Sequence, residues 1–357
     1  MSGISLSTLI IIIIVAAILV GGALYFTLLT QPKKTTGKIV AFVWEDYTVP
    51  EVADNFTRLY PEIVVEYSIF TDQPEMFTKL KAGFRADVIS PCVDYIPSLV
   101  KSGLIQPIDY NRLKNWNKLF KDVRESPGIW RDGELYMVPT DMGSETAVIF
   151  RKDKVEKIES WMDIFKPEYK GRILIIDDPR LGIVIGAFAL GYEDPWSLTR
   201  EDLEKIKEFY RERRELILGF YESDLEVRDL LASGEAWIVA GPSPTIAYWL
   251  ISEGIDAEYV FPEGKGTSWF CGLSIVKDAQ NLDAVYTYID YIISKEVELY
   301  FAEEWLYSPS NEEAYKEISP EVIGWLTSPE LFQKLIPLTE PPNIDEWLEV
   351  WEEIVGG

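Results

Sequence analysis

KIVAFVWEDYTVPEVADNFTRLYPEIVVEYSIFTDQPEMFTKLKAGFRADVISPCVDYIPSLVKSG, residues 38–103, carries the alternation that decides the fold. Residues 39–44 are a short apolar run of strand type. A turn then leads to a helix opening at Pro50, where a proline is tolerated because the first helical N–H groups have no intrahelical partner. Residues 63–70 read as a second strand, 75–82 as a helix, 86–90 as a buried strand, and 95–102 as a helix stopped by Gly103. Strands alternating with helices predict a mainly parallel sheet with helices on both faces.

Working outward, the alternation restarts downstream. Residues 147–151 and 172–176 read as strands, 179–190 as a helix, 200–214 as a charged helix, 227–233 as a short helix, 236–240 as a strand and 245–253 as a helix. A third stretch has a strand at 272–276, an amphipathic helix near 282–294 and a helical end at 344–354. It belongs to neither series by position. No fixed period links the two series, which excludes a solenoid. Ligands of open α/β sheets bind beyond the carboxyl ends of the strands, so two such sheets facing each other predict a cleft lined by strand-end loops.

Composition narrows the function. The 59 acidic against 34 basic residues give a net charge of -25, which repels a phosphate backbone, so no nucleic-acid partner is expected. The absence of histidine removes Ser-His-Asp and Cys-His catalysis and the commonest zinc ligand. Cys92 and Cys271 are too few for a disulfide scaffold or a Cys-rich zinc module. They leave open a single disulfide, two small buried residues, or a soft-metal or thiol contact; no metal and no cofactor is expected.

Residues 9–29 run without a charge. At about 1.5 Å per residue, such a helix spans the roughly 30 Å hydrocarbon core of a bilayer. Residues 1–30 therefore read as a transmembrane anchor or uncleaved signal, and the polar residues 31–37 as a linker. Lys33 and Lys34 favour a cytoplasmic flank, but the short N-terminal flank and the sequon Asn55-Phe56-Thr57 favour a domain outside the cell.

The run Ser160-Trp161-Met162-Asp163-Ile164-Phe165-Lys166-Pro167-Glu168-Tyr169-Lys170-Gly171 closely resembles the spermidine/putrescine-binding proteins of ABC importers. The order of Val43-Trp44-Glu45-Asp46-Tyr47, Asp87-Val88-Ile89-Ser90-Pro91, Asp177-Asp178-Pro179-Arg180, Phe261-Pro262-Glu263-Gly264 and Tyr307-Ser308-Pro309-Ser310-Asn311 agrees with it, over residues 38–325. The resemblance implies an α/β periplasmic-binding-protein fold of two lobes closing on a ligand cleft, preceded by the N-terminal transmembrane helix. Lobe one would be 38–140 plus 266–316, and lobe two 141–265 plus 317–357. It further implies a monomeric, non-enzymatic receptor on the outer, periplasmic or extracellular, face of the cell membrane. Such a receptor binds a small cation such as putrescine or spermidine and delivers it to ABC permease subunits.

Burying a chain of ammonium groups demands carboxylates along its length and aromatic faces for methylenes and cations. By the resemblance, Trp44 and Tyr47 match the first aromatic pair, Trp269 a later tryptophan, Tyr307 a late tyrosine, and Asp178 a ligand-binding acid. Cys271 and Leu181 stand where two further acids are expected, Cys92 where a pocket serine is, and Asp94 where a tyrosine is; Gly241-Pro242-Ser243 offers no match for a second-lobe tryptophan. The candidate contacts are thus Trp44, Asp46, Tyr47, Cys92, Asp94, Asp178, Trp269, Cys271 and Tyr307. The exchange suits a ligand with fewer charges than spermidine, or one gripped through Asp46, Asp94 or Asp141. An oligosaccharide on the Trp-rich cleft, an amino-acid-like ligand, or an iron or oxyanion ligand on loops 142–146 or 241–243 are the competing readings, the last opposed by Glu145. A membrane-anchored hydrolase would need Asp177 and Asp178 to straddle a bond, yet neighbours on a strand point to opposite faces.

Overall fold

The computed structural model describes residues 35–357. The expected anchor at 9–29 lies outside the described residues, and among them no helix is long and apolar enough to cross a membrane.

The first lobe is built on an eight-stranded mixed sheet. Its main path runs from Ser308–Pro309 through Val138–Glu145, Thr267–Val276, Val88–Ile89 and Gly37–Val43 to Ile63–Ile69; Ile105–Gln106 and Ile336–Pro337 attach to Thr267–Val276. Gly37–Val43 lies parallel to both its neighbours, as the opening alternation predicts. Helix Pro50–Leu59 turns Val52 and Phe56 inward, and Phe56 meets Tyr288 and Tyr291 of helix Leu282–Ile292 at 5.3 and 5.2 Å. The strand and the first helix of the third stretch thereby join the first core.

The second lobe has five strands in the order Ile217–Tyr221, Ile173–Ile176, Ile238–Ala240, Val148–Arg151 and Ala257–Val260. The first three are parallel, and Val148–Arg151 runs antiparallel to both its neighbours, Ile238–Ala240 and Ala257–Val260. Helices Pro179–Ala189 and Arg200–Glu212 cover one face together with the last helix, Ile344–Gly356, which inserts Trp347, Val350, Trp351 and Ile354 into the core. Trp351 lies so close to helix Pro179–Ala189 that a Cβ on Gly182 would stand 2.0 Å from its ring, so only glycine admits the contact.

Two strands carry the chain between lobes. Val138–Glu145 runs through residue 140, the expected end of the first segment of lobe one, and pairs antiparallel with Thr267–Val276 from Thr267 opposite Glu145 to Leu273 opposite Val138. The tail after 316 is distributed by its apolar faces. Ile318, Val322 and Leu326 pack on Ala302 of helix Lys295–Trp305, Ile336–Pro337 pairs with Thr267–Ser268, and Ile344–Gly356 enters the second core.

Candidate functional site

Strand Gly37–Val43 ends at Trp44, and the helical turn Glu45–Thr48 behind it carries Asp46 and Tyr47. The Trp44 amide donates to Ser90 Oγ at 3.0 Å and its ring tilts against Phe70, which leaves the indole partly exposed. Tyr47 is buried. Its hydroxyl donates to Asp141 Oδ1 at 3.3 Å and shares a hydrogen bond with Thr140 Oγ1 at 2.8 Å, while Thr140 also donates to Asp141. Burial, reinforced by the charge of Asp141, pushes the Asp46 carboxyl up to about 7; burial pushes Asp141 up to about 6 against the pull of the Thr140 and Tyr47 hydrogen bonds.

Side chains alternate along a strand, so Asp141, Gly143 and Glu145 face the same way. Gly143 lies opposite Trp269, and a Cβ at Gly143 would stand 2.5 Å from the indole. The missing side chain is what lets the ring lie on the strand between the two acids. Trp269 meets Tyr307 edge to face at 5.7 Å. Trp269, Tyr307, Glu145, Ile176, Trp305 and Trp325 all line a cavity of about 240 Å³. Burial, with the charge of Asp178, pushes Glu145 up to about 7, and the charge of Arg180 opposes this.

On the second lobe, Asp178 caps helix Pro179–Ala189 by accepting from the amides of Arg180 and Leu181 at 2.8 and 2.9 Å. One of its oxygens is therefore spent on the helix start. Asp94, buried in the first lobe, accepts from Arg180 Nη1 at 2.7 Å, an ion pair that crosses between lobes. Trp44, Asp94, Asp178 and Arg180 line a second hollow of about 550 Å³.

Cys92 and Cys271 are joined as a disulfide. Of the alternatives left open by the sequence this is the realised one, so neither thiol is free for a soft metal; among the described residues no cluster of three His, Cys, Asp or Glu is disposed to hold a metal ion. The bond ties the loop bearing Asp94 to the strand bearing Trp269, and sets Cys271 directly opposite Asp141.

The structure thus brings Trp269 and Tyr307 into one cavity, gathers Trp44, Asp94 and Asp178 around a second, and buries Asp46 and Tyr47 with Asp141, next to Tyr307, whose hydroxyl is pushed upward by burial and by both acids. Sequence reasoning missed Arg180 as the partner of Asp94, Glu145 as a cavity acid, and Trp325. No tryptophan stands at Gly241-Pro242-Ser243, but Trp325 lines the same cavity as Gly241 and Ser243. Nothing in local periodicity marks it, because its position depends on how the tail packs.

The family of bacterial extracellular solute-binding proteins matches residues 51–333 of the chain. The spermidine/putrescine-binding periplasmic protein of Escherichia coli is 27% identical over 336 residues, which cover 91% of this chain and 90% of that protein. The putrescine-binding periplasmic protein SpuD of Pseudomonas aeruginosa is 25% identical over 71% of this chain and 73% of its own length. Among solved structures, the spermidine/putrescine ABC transporter substrate-binding protein PotD from Streptococcus pneumoniae superposes with a TM-score of 0.76 at 22% identity, covering 89% of this chain and 97% of that one. Two α/β lobes, a cleft lined from both, and a match across most of its length make the chain a member of the bacterial extracellular solute-binding protein family.

Proposed function

We propose that the protein is the receptor of an ABC importer for a linear polyamine of the putrescine and spermidine kind. The observation that carries this reading is a charge imbalance in and beside the cleft, where Glu145 lines the cavity and Asp46 and Asp141 are buried near Tyr307. Among the described residues Asp94 and Asp178 meet Arg180, whereas Asp46, Asp141 and Glu145 lie within ion-pair distance of no Lys or Arg. Withdrawing carboxylates from water without a partner is costly, so a soluble cation gains by supplying the missing charge. Buried Glu298 differs in having both oxygens engaged, by Ser310 Oγ at 2.8 Å and the Asn311 amide at 2.7 Å, whereas Tyr47 and Thr140 both donate to Oδ1 of Asp141. Trp269 and Tyr307 offer aromatic faces on which methylenes and ammonium groups rest. The polyamine names of the aligned relatives support the same reading.

The apolar stretch 9–29 supports tethering of the two lobes, divided near the crossing strands, to the outer face of the membrane as a single-pass, monomeric receptor beside its permease. Thermal denaturation of the full-length protein with putrescine, spermidine, amino acids, oligosaccharides and oxyanions tests the ligand class. A ligand at 100 times its dissociation constant adds about 2.7 kcal/mol, so amines are expected to raise the melting temperature and the other classes to leave it unchanged. A shift with an oxyanion or a sugar and none with an amine would refute the polyamine reading.

Protonation supplies a second expectation. Asp46, Asp141 and Glu145 hold their protons up to about 7, 6 and 7, and a bound ammonium favours the ionised forms. Amine affinity is therefore expected to rise from pH 5.5 to pH 8, measured by calorimetry. Without ligand the sign reverses. Carboxyls raised above their unfolded values near 4 contribute stability that is present below that pH and lost as pH rises through about 7. The melting shift produced by an amine is accordingly larger at pH 8 than at pH 5.5.

A further inference from the structure

Resting on the polyamine reading, we infer that strand Val138–Glu145 acts as a ruler, with Asp141 and Glu145 holding the two terminal ammonium groups of a triamine-length ligand across Trp269. Four facts place them so. The two acids are four residues apart on one face of a regular stretch of strand, pairing without a register shift from Cys271 opposite Asp141 to Thr267 opposite Glu145. Their Cα atoms are therefore roughly 13 Å apart. The position between them is Gly143, and the indole of Trp269 occupies the space its side chain would have taken. Neither acid has a Lys or Arg at ion-pair distance among the described residues, and Tyr307, packed on Trp269, feels the charge of Asp141. The third acid of that end, Asp46, adds its charge to that of Asp141.

Length follows from bond counting. Twelve backbone bonds separate the two Cα atoms, and an extended alkyl chain advances about as far per bond as an extended strand. Nine bonds join the terminal nitrogens of spermidine or octane-1,8-diamine, enough to reach both carboxylates with hydrogen bonds completing the distance. Five bonds join those of butane-1,4-diamine, which reaches one carboxylate at a time. Arg180 already satisfies Asp94 and adjoins Asp178, so those acids do not offer the short ligand an equally unmatched second site.

Calorimetric titration of the full-length protein with butane-1,4-diamine, octane-1,8-diamine and spermidine tests the ruler. Octane-1,8-diamine, which has the length of spermidine without its middle nitrogen, is expected to bind at least about tenfold more tightly than butane-1,4-diamine. Glu145→Gln is expected to weaken both long amines by roughly 10- to 100-fold, the loss of one charge-assisted contact, and to change the short diamine by less than about threefold. Asp141→Asn is the complementary variant; because Asp141 also anchors Tyr47, Glu145→Gln decides the matter if Asp141→Asn fails to fold. Equal affinity for the two diamines, or a Glu145→Gln loss shared by all three ligands, would overturn the ruler while leaving the polyamine receptor intact. Failure of every amine to bind the unaltered protein would remove both.

Discussion

Gly143→Leu is expected to abolish amine-dependent stabilisation while leaving a folded protein. No ordinary backbone penalty stands behind this, since Gly143 is not among the glycines with positive φ. The effect is steric. A Cβ at this position would lie 2.5 Å from both Cε2 and Cζ2 of Trp269, and a rigid indole yields only by leaving the strand face. Overpacking of this kind costs about 1–3 kcal/mol, a fraction of a domain's stability. The displaced ring has the cavity shared with Tyr307 and Glu145 to move into, where it removes the aromatic surface and fills the space an amine needs. At a spermidine concentration that raises the melting temperature of the unaltered protein, the variant should show no shift, and its affinity by calorimetry should fall at least tenfold. Retention of full affinity would mean that Trp269 packs the strands and takes no part in recognition.

Removing the disulfide with Cys92→Ala and Cys271→Ala together is expected to lower unfolding free energy by about 2–5 kcal/mol, read from denaturant midpoints. The two cysteines are 179 residues apart, so the bond removes a long loop from the unfolded ensemble. It also has a local consequence. The Cys92 loop continues directly into Asp94, whose carboxylate receives Arg180 from the opposite lobe, so untying it loosens the ion pair across the cleft. The double variant should therefore lose amine affinity as well as stability. An unchanged midpoint would show that packing alone holds the loop.

Much of this was legible in the sequence where the signal was local. The strands at 39–44, 63–70 and 172–176 and the helix opening at Pro50 announced themselves through apolar runs and a proline at a helix start, and the structure has strands Gly37–Val43, Ile63–Ile69 and Ile173–Ile176 and helix Pro50–Leu59. The resemblance drew Trp269 and Tyr307 together across 38 residues of chain, and they are in ring contact. What stayed hidden depends on register and lobe placement. The sequence offered Asp141 as a possible grip and Glu145 as an acid opposed to an oxyanion, but only the pairing with Thr267–Val276 reveals that the two flank Trp269 on one face. Asp94 looked like an available anion, because its partner Arg180 lies 86 residues away in the other lobe. Trp325 had no periodic pattern to mark it, since the tail packs against three different surfaces.

The placement of helix Ile344–Gly356 in the second core governs the order in which the molecule is completed. Chains emerge N-terminus first, and domains commonly fold as they appear. Here Gly182 was left without a side chain to receive Trp351, and Trp196 stacks on Trp347, so the surface around residues 182–196 stays open until the thirteen-residue helix Ile344–Gly356 docks. The second lobe is in that sense finished by a plug that comes late. Docking of helix Ile344–Gly356, which follows the rest of the second lobe along the chain, is therefore the step that closes this surface.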